Sequence, residues 1–205
     1  MNRLLSLPLS KRLAETSRLP LLAGDQEAMR GIELIALSLT GFVAAALSSF
    51  IDLSLRMPGH HILYSVFPMA MGFALVPRRH AGLIMGTSAL SATALLGFAG
   101  ARVPGIGALT SLALTGPLLD IALRRGGRGW RLYAAFVLAG ASSNAVAFAA
   151  RALTKAMGIR GMGGGRALNA WLPQAVWTYA LAGVLAGLIS AAAWFHLRDR
   201  GNERA

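Results

Sequence analysis

The 205-residue sequence contains no cysteine. That excludes disulfide scaffolds, Cys-ligated zinc, iron–sulfur clusters and thiol nucleophiles, and leaves histidine and carboxylates as the available metal ligands. Charge is scarce as well: Asp, Glu, Lys and Arg together make up 14% of the chain, and only 8 residues are acidic. Glu33, Asp52 and Asp120 are the acids nearest to apolar segments, too few for a carboxylate relay or a two-metal centre. The pattern G-x-x-x-x-G-K-[ST] does not occur, so the chain has no P-loop with which to hydrolyse ATP. No metal, cofactor or catalytic centre is expected.

What the chain has in abundance is apolar residues, 55% of the total, with a mean hydropathy of +0.56. A bilayer crossing takes about 20 such residues, so the composition is enough for roughly six crossings and excludes an ordinary water-soluble enzyme. Six runs answer to this: 31–55, 58–76, 81–101, 103–123, 132–150 and 170–197. The expected fold is an all-α integral membrane protein, a bundle of six transmembrane helices over residues 31–197. Flanking it are a basic tail at 1–30 and a short tail at 198–205. The first tail is read either as an interfacial amphipathic segment or as disordered, its apolar stretch being too short and too broken by Pro8, Lys11 and Arg12 for a signal peptide.

The net charge of +12 would point to nucleic acid in a soluble protein. Here the basic residues sit between apolar runs, which assigns them to topology and to anionic lipid head groups. Alternate sides carry 14 and 6 of the 20 Lys and Arg residues, placing both termini in the cytoplasm. The segment Ala152–Asn169, with five glycines, is the one long outer loop, read as a connector or as a lid.

Polar side chains within a bilayer are costly and tend to mark function. On this topology they gather at the outer side: Asp52 and Arg56 at the end of the first helix, His60, His61 and Tyr64 in the second, Asn144 and Arg151 in the fifth, Gln174 and Trp177 in the sixth. Such a set describes a pocket for a small polar solute, and equally an interfacial belt in which the amides act as interhelical glue. Arginine suits a carboxylate or phosphate, an amide reads a ring or amide, and tryptophan stacks. The inner halves carry small residues at four-residue spacing, as in Gly41-x-x-x-Ala45, Ala70-x-x-x-Ala74, Ala145-x-x-x-Ala149, Ala182-x-x-x-Ala186 and Gly183-x-x-x-Gly187, which permits close helix approach. Pro68, Pro117 and Pro173 fall inside predicted helices.

This arrangement resembles the substrate-binding S components of energy-coupling factor transporters, bacterial plasma-membrane proteins that capture vitamins and other micronutrients. The likeness is architectural and covers most of the chain: six apolar helices, termini inside, polar groups at the outer ends and small-residue faces toward the cytoplasm. It implies a non-enzymatic capture subunit, with Asp52, Arg56, His60, His61, Tyr64, Asn144, Arg151, Gln174 and Trp177 contacting or gating the solute. It also implies docking on a transmembrane coupling subunit and its ATPases. The family's docking face carries Ala-x-x-x-Ala in the first helix; here Gly41, Ala44, Ala45 and Ser48 hold the corresponding places, a departure from that pattern.

Four other readings compete. An assembly protein would pack its small-residue faces on a larger complex and need no pocket. A rhomboid-type protease would need Gly-x-Ser-Gly, where this chain has Gly140-Ala141-Ser142-Ser143. A metal site on His60, His61 and Asp52 would need a non-helical turn, because adjacent helical side chains diverge by about 100°. A lipid-modifying enzyme would use head-group-level residues such as Asp120 and Arg124.

Overall fold

The structure is a computed structural model that describes residues 31–51, 59–125, 130–158 and 168–202, with side chains to residue 193. Every regular element among the described residues is an α-helix: α1 Gly31–Phe50, α2 Ile62–Leu75, α3 Ala81–Phe98, α4 Ile106–Arg125, α5 Trp130–Ala156 and α6 Leu168–Asn202. All but α2 are long and apolar enough to cross a membrane. Between 28% and 50% of each such span is buried in the protein. The remaining apolar surface includes Ile32, Ile35 and Leu39 of α1 and Leu181, Leu185 and Ile189 of α6. Apolar faces this extensive are stable only against lipid, and the chain is a multi-pass membrane protein.

The helix in the expected second span, 58–76, is shorter than the apolar run that contains it. It has 14 residues, about 21 Å at 1.5 Å per residue, against a hydrocarbon core of about 30 Å. It starts late because Gly59, His60 and His61 form a turn, with Gly59 at φ +89°. The fifth helix is longer than expected and takes Ala152–Ala156 out of the predicted loop, while α6 continues helical into the predicted C-terminal tail as far as Asn202. The basic tail at 1–30 lies outside the described residues.

The helices form a ring in the order α1, α3, α4, α5, α6, α2, with α2 closing it between α6 and α1 and also touching α3, α4 and α5. Its burial explains its composition. Ile62, Val66, Met69, Ala70 and Phe73 are inside, and this helix has little surface left for lipid.

Glycines set the tightest seams. Gly82 of α3 and Gly116 of α4 face each other so closely that a methyl on either would strike the other's carbonyl. Gly140 of α5 approaches Gly183 and Gly187 of α6, where an added methyl would lie 2.6 Å from the Gly183 carbonyl oxygen. Ala182 and Ala186 pack against Ile62 and Val66 of α2. Of the small-residue pairs expected from spacing, Ala145 and Ala149 are the exception, being exposed.

The face proposed for docking is spent inside the chain. Gly41 packs on the Met85 carbonyl, Ser88 and Ala89 of α3, Ala44 and Ala45 are fully buried, and Ser48 is buried with them. The Ser88 hydroxyl donates to the Ser38 carbonyl across the same seam at 2.8 Å. Gly41 thus lets α3 approach α1, and Ala44, Ala45 and Ser48 are buried within the bundle.

Candidate functional site

The buried stripe of α5 runs Leu132, Ala135, Phe136, Ala139, Gly140, Ser143, Asn144 and Ala147, at helical spacing of three and four. Four residues further on the same face is Arg151. On α6 the inward stripe is Trp171, Ala175, Tyr179, Ala182 and Ala186. These two stripes, with the turn before α2 and the first turn of α4, build a polar and aromatic layer within the bundle.

Its floor is a chain of hydroxyls. Ser65 of α2 lies 3.3 Å from Thr115 of α4, and Thr115 lies 2.9 Å from Ser143 of α5, all three fully buried. The Ser65 hydroxyl also reaches the Ile62 carbonyl at 3.1 Å. Each hydroxyl can donate and accept, so the chain satisfies itself without water.

Next to Ser143, Asn144 donates from Nδ2 to the carbonyls of Tyr179 at 2.6 Å and Gly59 at 3.3 Å. One amide thereby joins α5, α6 and the turn leading into α2. Asn144 lies about 18 Å along α5 from Ala156, so the Gly59 turn is deep in the bundle. Non-helical backbone is tolerated at such depth where protein buries it or it lines a cavity. Here Gly59 is buried and its carbonyl is bonded. Only glycine fits: its φ is positive, and an added methyl would stand 2.9 Å from the Tyr179 ring.

The turn brings the two histidines together. The rings of His60 and His61 stack with centroids 4.4 Å apart, and Tyr64 meets both edge-on at 6.1 and 5.7 Å. His61 itself has helical dihedrals, φ −57° and ψ −20°, and the two rings lie face to face. Among the described residues, no three His, Asp or Glu side chains gather as a metal-binding group.

Above this layer stands an aromatic cluster. Phe148 stacks on Trp171 at 5.6 Å, and Tyr179 closes against both at 5.5 and 6.3 Å. Two cations lie over Trp171, the Arg151 guanidinium carbon at 5.8 Å and Lys155 Nζ at 5.4 Å, within cation–π range. Gly107 of α4 comes up against the Tyr179 hydroxyl and the Ala147 carbonyl. Within the cluster, Arg151 Nε and Trp171 Nε1 are buried and have no hydrogen-bond acceptor among the described residues.

The sequence-predicted set is thus partly assembled. His60, His61 and Tyr64 meet one another, Asn144 binds the turn that carries them, and Arg151 stands over Trp171. Asp52 and Arg56 lie outside the described residues. Gln174 and Trp177 stand on the outward side of α6, Trp177 at 72% exposure, and do not join the cluster, because the stripe through Trp171, Ala175 and Tyr179 turns them away from it. In their place the structure brings in Phe148, Lys155, Trp171 and Tyr179.

At the opposite end, Asp120 Oδ2 accepts the Leu83 backbone N–H at 3.2 Å, serving one of the orphan donors in the first turn of α3. Asp120 is buried there, a placement that suits a structural cap. Glu33 pairs with Arg78 at 3.1 Å, tying the start of α1 to the α2–α3 connection.

No protein-family model matches this chain, and no curated protein or solved structure matches it.

Proposed function

We propose that the chain is a membrane-embedded solute-capture subunit of the S-component kind, serving an ATP-driven importer in a prokaryotic plasma membrane. Its site is the layer built by α2, α4, α5 and α6, and its solute is a small organic anion bearing a flat apolar group. The observation that carries this reading is the pair of buried donors, Arg151 Nε and Trp171 Nε1, on adjacent helices and without acceptors among the described residues. A buried donor left unmatched costs about 1–3 kcal/mol, and more when charged. A carboxylate supplies acceptors for such donors and a countercharge for the guanidinium. Phe148, Trp171 and Tyr179 offer the aromatic wall for the apolar part, and Lys155 adds a second positive charge beside it.

Such a subunit needs an energy source in trans, since its own sequence has no P-loop. With α2 counted as a short sixth crossing, both termini fall on the cytoplasmic side and the site opens outward. The competing assembly role draws on small-residue faces, and those of α1 and α6 are already used within the bundle.

The test is thermal unfolding of the purified chain in detergent with a panel of ring-bearing carboxylates, such as nicotinate and biotin, and their uncharged amides. The matching acid is expected to raise the melting temperature, saturation at about 100 times Kd being worth roughly 2.7 kcal/mol. The amide is expected to do much less, and Arg151→Gln to abolish the response. Equal stabilisation by acid and amide, or a full response in the variant, overturns the reading.

A further inference from the structure

A groove of about 380 Å³ runs between α4 and α5 at the end of the bundle away from the solute layer. Its walls are apolar, formed by residues such as Leu118, Ile121, Ala134 and Leu138, and its mouth carries Arg125, Arg131 and Trp130. The three mouth residues are exposed. On α5 the lining extends from Arg131 to Ser142, about 16 Å of helix, so the groove is open and runs along the helix.

We infer that this groove is a binding site for one anionic phospholipid, its acyl chain in the slot and its phosphate between Arg125 and Arg131. Both arginines stand at helix ends, where the apolar spans meet the head-group level, and Trp130 is the aromatic residue typical of that level. The apolar slot continues from the charged mouth toward the interior of the membrane, so one amphiphile meets both at once. A zwitterionic lipid matches the slot but not the pair of positive charges; free phosphate matches the charges but not the slot. Basic clefts between transmembrane helices select anionic head groups on this principle.

The experiment is lipid exchange into the full chain, reconstituted in phosphatidylcholine nanodiscs with and without phosphatidylglycerol, with bound lipid counted by native mass spectrometry. Retention of one phosphatidylglycerol is expected, with no comparable retention of phosphatidylcholine. Each basic side chain at an anionic surface is worth roughly a fivefold factor, so the R125Q/R131Q double variant should weaken retention by about twenty- to thirtyfold. Ala134→Phe fills the slot and leaves the charges in place; it too should displace the lipid. Both variants should keep the wild-type helical circular dichroism. Equal retention of the two lipids, unchanged retention in either variant, or displacement of the lipid by millimolar inorganic phosphate alone would each overturn the assignment.

Discussion

Asn144 and Arg151 share one face of α5, yet the structure gives them different work. The Asn144 amide is committed to two backbone carbonyls, whereas Arg151 keeps an unmatched donor. Asn144→Ala is therefore expected to lower stability by about 1–3 kcal/mol, two interhelical bonds at up to about 1.7 kcal/mol each, measured as a drop in melting temperature without solute. Trp171→Phe keeps an aromatic ring but removes the indole N–H together with part of a buried ring. It should lower the ligand-free melting temperature modestly and weaken solute-induced stabilisation. That Asn144 lies inside the bundle was legible from its depth in an apolar segment. The exposure of Gln174 and Trp177 was not legible, because polarity near a helix start does not say which way a side chain faces. The signal that does is the register of Ala175, Ala182 and Ala186 with Trp171 and Tyr179, small residues repeating on one face while large aliphatics occupy the other.

Among the elements, the α3–α4 pair depends most on the absence of side chains. A methyl at Gly82 or Gly116 meets backbone, which cannot rotate aside. Either Gly→Ala change should cost about 1–3 kcal/mol, visible in the melting temperature, whereas Gly100→Ala tests positive φ alone, since nothing lies near its added methyl. Five of the six apolar runs became spans because each is an uninterrupted helix. The run at 58–76 did not reach spanning length, for the reason already contained in its sequence: a Gly followed by two histidines favours a turn, and hydropathy summed over a window does not register it. The Gly82–Gly116 seam was invisible to spacing rules, because it uses one glycine from each of two helices and no repeat within either.

Considered as a whole, the molecule is a ring whose exposed surface is apolar along its sides and basic at one end. Since the chain lacks cysteine, single cysteines can report its topology. Arg79→Cys and Met157→Cys, at opposite ends of the bundle, should react with a membrane-impermeant maleimide from opposite sides, Arg79→Cys from the cytoplasmic one. Labelling of both from the same side would refute the spanning arrangement, and labelling of Arg79→Cys from outside would refute the proposed topology. The ring also has a closing member, α2, held between α1 and α6. In synthesis α2 is made second and α6 last, separated by roughly 100 residues, or about 5–20 s of translation at ordinary rates. Until α5 and α6 are made, the Gly59 carbonyl lacks the Asn144 amide and α2 lacks its packing against Ala182 and Ala186. Release from the ribosome before α6 would leave α2 without one of the two helices between which it closes the ring.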